Sequence, residues 1–351
     1  MNFDLLNKYL KSDLKNLKIN KYTNQLKGTS AIATHYINQQ ENLTYTRYKT
    51  RLNLFYNKEK FGHIRGQTPS TTSLSAKRIV NNKLETEKYL QKRNINCTKS
   101  ISLTANDFEK GLKIVSKSDV NMVLKPINLN RGDGITLNVN IANYEFAWKQ
   151  AKDAIEDRGQ HFTVLLQPMI EGIEARFLVI ENSFNSVILR VPANIVGDGE
   201  QTVKELIQEK NKNRAFSPHL KRIPIKINES LLYNINKKGY TLGSVIKNEE
   251  ILYLHHSSNI SLGGDSYEIT HLISDNLKQL AESAVLAIPG INTAGVDILL
   301  ESLDGNTGTV LEVNAGSNLN MHHYPWKGQP KSPVHDLIDT MLKDFLSKHN
   351  S

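Results

Sequence analysis

Apolar positions recur at helical spacing through the first residues of the chain, where Leu5, Leu6, Tyr9, Leu10, Leu14 and Leu17 alternate with lysines. That pattern predicts an amphipathic helix over residues 1–20 whose stripe packs on the body. Helical periodicity returns at residues 82–93, 105–116 and 277–288, and Thr202 with Glu205 has the spacing of a capping box that opens a helix over 202–210. Between these lie β-runs at 122–125 and 162–167. Two more, 175–180 and 186–191, are separated by the turn-rich ENSFN and read as a hairpin. The stretch GQTPSTTSLS at 66–75 reads as a loop closing a first region, 1–75. After it, helices and β-runs alternate, which indicates an α+β or α/β architecture.

A last hairpin carries the strongest chemical signal. GVDILLE at 295–301 and TVLEVN at 309–314 flank LDGNTG; with Asp304-Gly305 as a two-residue turn, Asp297 falls directly opposite Glu312. Alternation puts Glu312 and Asn314 on one face. Two facing carboxylates repel unless a cation or proton lies between them, and two carboxylates plus an amide suit Mg²⁺. The alternative is a solvated hairpin face. In VLKPINLNRGDG, a β-run ending in Lys125 leads into a loop with Gly132 and Gly134, where backbone N–H groups can cradle phosphate beside an ammonium. Taken alone, this loop also reads as an ordinary hairpin turn. LLQPMIEGIEAR, at 165–176, passes from an apolar strand into a polar segment with Glu171, Glu174 and Arg176, the form of a hinge that can hold adenine by backbone groups and ribose by a carboxylate.

Charge and cysteine content narrow the compartment and partners. Lys and Arg number 44 against 35 Asp and Glu, and residues 1–75 hold twelve of the bases and only four of the acids. A solvated lysine-rich face is the expected meaning, with nucleic acid not expected as a partner. The same excess, Lys15, Lys18 and Lys21 included, would draw an acidic amino acid or anionic peptide towards a cleft, an effect that salt suppresses. Cys97 is the only cysteine, so no intramolecular disulfide forms. No signal peptide or membrane-spanning run is legible at the N-terminus, and a cytoplasmic location is expected. The pairs His255-His256 and His322-His323 lack helical ligand spacing, and substrate-loop or structural roles are expected of them.

In order along the chain, NNKLETEKYL, LKPINLNRGDGI, EARFLVI, LRVPANIVGDG, NISLGGDSYEIT, GVDILLE and LEVNAGSNLNMHHYP resemble the ATP-grasp superfamily, most closely the ATP-grasp portion of cyanophycin synthetase and of bifunctional glutathione synthetases. The resemblance covers roughly residues 77–345. It implies an ATP-grasp fold of two α+β lobes gripping ATP: a first lobe at 76–166 with the phosphate loop, and a second at 167–351 with the Mg²⁺ site, preceded by the smaller region 1–75. It assigns Lys83 and Lys125 to the ATP phosphates, Gln167, Pro168, Met169 and Ile170 to the adenine hinge, and Glu174 to the ribose. Asp297, Glu312 and Asn314 become the Mg²⁺ ligands. Arg176, Arg190 and Arg214 become the groups facing the transferred phosphoryl, and MHHYPW, at 321–326, one wall of the substrate site. Two positions depart from the family: Leu129 stands where a glycine is frequent, and Gln167-Pro168 replaces a frequent acidic pair.

The implied activity is an ATP-dependent carboxylate-amine ligation of amino-acid or peptide substrates through an acyl phosphate. No second nucleotide motif is legible, so a single ligation is expected. The alternatives are modification of a protein tail or of a non-amino-acid carboxylate, and a nucleotide-binding regulator without catalysis. A homo-oligomer is compatible with the sequence.

Overall fold

The computed structural model describes residues 1–23, 25–127, 129 and 133–349. Its N-terminal region carries helices Phe3–Lys11 and Thr29–Ile37 and an antiparallel sheet of β1 (Leu43–Tyr48), β2 (Arg51–Tyr56), β3 (Glu59–Arg65) and β4 (Thr68–Pro69). Helices Leu74–Asn81 and Lys83–Lys92 lead from it into a small lobe. There β5 (Ile101–Thr104), β6 (Met122–Pro126), β7 (Thr136–Val139) and β8 (Thr163–Pro168) form an antiparallel sheet in the order β5-β8-β6-β7. Helices Phe108–Ser116 and Tyr144–Glu156 bury Val115, Tyr144, Ala147, Ala151 and Ile155 against that sheet.

The large lobe is a five-stranded antiparallel sheet, ordered β13-β10-β9-β14-β15, made of β9 (Ile173–Ile180), β10 (Ser183–Val191), β13 (Asp265–Glu268), β14 (Ala294–Leu300) and β15 (Gly308–Asn314). One face, with Ala175, Phe177, Leu189, Val296 and Ile298, lies in the largest core cluster, with Leu277, Ala281 and Val285 of helix Asp275–Leu286. The pair β11 (Asn194–Val196) and β12 (Ile251–Tyr253) forms a satellite with helices Val203–Arg214 and Glu229–Asn236. Helix Pro333–His349 seats Val334, Leu337 and Ile338 in a cluster with Leu52, Leu54 and Ile64 of the N-terminal sheet.

Two local expectations change. The first helix stops at Lys11: Ser12 leaves the helical region at φ −110° and ψ −96°, with its hydroxyl 2.9 Å from the Lys8 carbonyl oxygen and 2.7 Å from the Asp13 carboxylate. Leu14 is buried all the same, in the core that takes Leu6 and Tyr9. The last hairpin has no two-residue turn; seven residues, 301–307, connect its strands. Ile298 pairs with Val310 rather than residue 311, and a bulge between Asp297 and Ile298 absorbs the slip, so Asp297 still faces Glu312. The β9–β10 hairpin turns on Glu181 and Asn182, both at positive φ, as a two-residue turn requires. Among the described residues, no helix is long and apolar enough to cross a membrane.

Candidate active site

The sheet face opposite the main core carries charge. Cross-strand pairing sets Glu312, Asp297 and Arg176 side by side on β15, β14 and β9, and two positions further along come Glu174 on β9 and Arg190 on β10. A buried charge is tolerable only if paired. Asp297 is almost wholly buried and receives both ends of the Arg176 guanidinium, Nε on one carboxylate oxygen and Nη2 at 2.7 Å on the other. Arg190 Nη1 lies 3.0 Å from Asp297 and 2.8 Å from Glu174 and so forms an ion pair with each. Its buried Nε has no partner.

The electrostatics follow from that packing. Burial opposes the charge on Asp297, but Arg176 and Arg190 outweigh it and hold the carboxyl below its ordinary range. Burial likewise opposes the charge on Arg190, and Glu174, Asp297 and Glu312 overcome it. The two arginines thus compensate the charge of Asp297, which does not face Glu312 as an uncompensated repulsive pair.

Between the two sheets lies a cavity of about 400 Å³. Lys125, Val123 and Leu137 line it from the small sheet, Met169 and Ile170 from the connection after β8, and Glu174, Asp297, Leu299 and Glu312 from the large sheet. Lys83 enters from the start of its helix, whose first turn is capped by Asn82. Burial, and then the charge of Lys83, lowers the Lys125 ammonium from 10.5 to about 8. Gln167 is buried and held by Ser100, itself bonded to Glu87, while the Met169 N–H donates to Asn121. Pro168 is exposed and is not in the lining.

A second, polar cavity of about 620 Å³ adjoins the first and shares Lys83 and Glu312 with it. Asn314 lines this one, with its amide nitrogen buried and unpartnered. Glu312, Asp297 and Asn314 are oxygen donors at the junction, a set that fits a hard divalent cation such as Mg²⁺. Glu312 is the open member, since no ion pair engages it among the described residues, whereas Asp297 is shared with two arginines.

Other expected residues fall elsewhere. Gly132 lies outside the described residues. Gly134 has φ +68°, and a Cβ there would stand 2.9 Å from Pro126 and from Ala154, so glycine is required where the chain re-enters β7. Leu129 is buried in the small lobe's core. Arg214 does not join Arg176 and Arg190: it is buried against Asp265 at 2.7 Å, with Lys210 2.5 Å from the same carboxylate. Asp265 pairs with Val191, one step from Arg190, and therefore leaves the sheet on its other face. No residue of MHHYPW lines either cavity; Trp326 is tied to Ser266, and His322 to Ser186. Among the described residues, no group of three His, Cys, Asp or Glu is placed to hold a metal.

The sequence reading missed Ser258, which donates to Glu174, and Ser257 beside it in the lining, where His256, expected in a substrate-loop or structural role, also stands. It also missed Lys77, Asn81 and Thr68 in the polar cavity. Ser258 immediately precedes the NISLGGDS segment, the one signal that could have found it.

A small antiparallel lobe closing a cavity over a five-stranded sheet that bears charged residues is the architecture of the ATP-grasp fold. The chain belongs to that family, for the model of the ATP-grasp domain matches residues 80–316. The glutathione biosynthesis bifunctional protein GshAB of Enterococcus faecalis is 32% identical over 232 residues, 64% of this chain and 30% of that protein. Cyanophycin synthetase of Synechocystis is 29% identical over 248 residues, 68% of this chain and 27% of that protein. The crystal structure of a bifunctional glutathione synthetase from Pasteurella multocida superposes with TM-score 0.66 at 25% identity, over 90% of this chain and 44% of that one. The chain thus matches about three tenths of the length of these curated relatives.

Proposed function

We propose that the protein is an ATP- and Mg²⁺-dependent carboxylate-amine ligase, in which a carboxylate takes the γ-phosphoryl group of ATP and leaves ADP, and an amine then displaces phosphate from the acyl phosphate. The observation that carries this reading is the cavity lined by Lys83 and Lys125 on one side and Glu174, Asp297 and Glu312 on the other, with Arg176 and Arg190 paired to those carboxylates. Phosphoryl transfer needs positioning and charge stabilisation more than covalent chemistry, and two lysines in the lining with two arginines on its carboxylates supply both. Arg190 has an unspent buried Nε donor, suited to phosphoryl oxygens. Asp297 fixes the Arg176 guanidinium, Ser258 fixes Glu174, and the apolar side chains Val123, Leu137, Met169 and Leu299 suit a purine ring. In this reading Glu312, Asn314 and Asp297 hold the cation, which when bound would neutralise phosphate charge. Arg214 is left to bracing the large lobe.

The test is to supply ATP, Mg²⁺ and a panel of amino acids and short peptides, and to follow nucleotide products and product mass. ADP and phosphate are expected. Omitting the amine and adding hydroxylamine should trap the activated carboxylate as a hydroxamate. Pyrophosphate and AMP in place of ADP would mean adenylation and refute the acyl-phosphate route.

A further inference from the structure

The polar cavity has a wall that the family match does not reach. Thr68 on β4 and Lys77 on helix Leu74–Asn81 line it, both before residue 80. Thr68 pairs directly with Arg65 on β3, and Arg65 with Arg51 on β2. Cross-strand partners share a face, so two guanidiniums lie opposite each other in the row that starts at Thr68 in the cavity wall, an arrangement that costs stability unless an anion approaches them. The face cannot turn away, because Leu52, Leu54 and Ile64 between these residues are buried beneath helix Pro333–His349. Among the described residues, no carboxylate forms an ion pair with Arg51, Arg65 or Lys77. The Arg51 Nε is buried without a partner, and its Nη2 lies 3.1 Å from His63 Nδ1. Burial, and then the charges of Arg51, Lys60, Lys77 and Arg65, keep the His63 imidazole below its ordinary value, so four cations act on one ring.

We infer that this cationic face and the polar cavity beside it bind the carboxylates of an acidic peptide or acidic amino acid. The inference rests on the ligase reading for its chemistry, since the cavity meets the nucleotide cavity at Lys83 and Glu312, where an incoming carboxylate would meet the phosphoryl group. Thr68, Asn81 and Asn314 add neutral hydrogen-bonding groups suited to a peptide backbone. No aromatic side chain lines the cavity, which speaks against the stacking platform of a nucleic-acid site. The lysines that stood out in the sequence are elsewhere: Lys15 pairs with Glu249 at 3.0 Å, and Lys21 lies over the Phe216 ring.

The test is a calorimetric titration of the full chain with tri-L-glutamate and with tri-L-alanine. It compares the wild type, the combined variant Arg51→Ser, Arg65→Ser, Lys77→Gln, and the combined variant Lys15→Gln, Lys18→Gln, Lys21→Gln, which removes the same charge at a distance. Triglutamate should bind and trialanine should bind far more weakly. The cavity variant should weaken triglutamate by about tenfold or more, as loss of charge-assisted contacts does. The distant variant should stay within about twofold, and added salt should weaken the wild type. Equal binding of both peptides, equal loss in both variants, or no binding of triglutamate would overturn the inference. Thermal unfolding reports whether the cavity variant folds, and Lys77→Gln alone, on a helix surface, serves if it does not. Because binding is read without turnover, triglutamate binding at this face with no ADP formed from any carboxylate would fell the ligase reading and leave the site standing. ADP formed with neutral substrates alone, and no triglutamate binding, would do the reverse.

Discussion

Lys125 offers a test of the nucleotide cavity that needs no substrate. Its ammonium is lowered from 10.5 to about 8, first by burial and then by Lys83, with Glu87 and Glu312 offsetting part of the effect. The lowering corresponds to roughly 3 kcal/mol against the charged form. With the folded value below the unfolded one, the unfolded chain binds more protons between pH of about 8 and 10.5, so this group favours folding increasingly as pH rises through that window. A polyphosphate in the cavity reverses the preference by supplying the missing anion. At pH 9 only about a tenth of the free protein carries a proton on Lys125, and nucleotide binding should therefore take up about 0.9 proton.

The assay is calorimetry of a non-hydrolysable ATP analogue at pH 9, in two buffers of different ionisation enthalpy. The difference in observed heat divided by the difference in buffer enthalpy gives the proton count. Lys125→Met should reduce it to near zero and weaken binding. Heats that agree in both buffers for the wild type, with binding intact, would show that phosphate does not reach Lys125, and the assignment of this cavity to nucleotide would fail.

Other outcomes follow from the same geometry. Glu312→Gln should cut Mg²⁺-dependent phosphate release beyond the roughly 10–100-fold typical of losing an outer-shell partner, with an unchanged melting temperature; near-normal release would remove Glu312 from the cation site. Arg214→Ala leaves the fully buried Asp265 with Lys210 as its remaining ion-pair partner among the described residues and should cost about 3–5 kcal/mol in urea unfolding. Normal stability with lost phosphate release would instead return Arg214 to the chemistry. Gly172 has φ +153°, and a Cβ there would come 2.7 Å from the Leu300 carbonyl oxygen, so Gly172→Ala should lower stability by about 1–3 kcal/mol, read as a lower melting temperature.

Local order was legible where short-range rules apply. The capping box at Thr202 is present with both reciprocal hydrogen bonds, and the helix it opens runs on to Arg214. The Asp297–Glu312 register was read correctly from an incorrect turn, because a bulge compensated for the longer loop; neither feature is encoded in side-chain alternation alone. The partners of Asp297 could not be read at all: Arg176 comes from 121 positions earlier in the chain, and only the sheet order β10-β9-β14 brings it alongside. The polar cavity was equally hidden, since Thr68 and Lys77 meet Glu312 and Asn314 only through the packing of the N-terminal sheet on the large lobe. Charge excess in residues 1–75 was visible, but which of its cations are free of carboxylates was not.

The charges around the nucleotide cavity explain how so polar a face survives beneath a lobe. Four cations, Arg176, Arg190, Lys83 and Lys125, stand against three carboxylates, Glu174, Asp297 and Glu312, so the charges nearly cancel, and more nearly still when Lys125 gives up its proton. Near-neutrality keeps the desolvation penalty tolerable without a ligand. It also means that a polyphosphate alone would leave excess negative charge, while a divalent cation alone would gain only the one uncommitted carboxylate, Glu312. The two together restore the balance, with Arg190 turning its unspent donor to phosphate and Glu312 its free oxygens to the cation. On this argument the buried arginine–aspartate pair serves as a preset counter-charge that holds Arg176 and Arg190 in place before either ligand arrives, and the site avoids reorganisation at the moment of transfer.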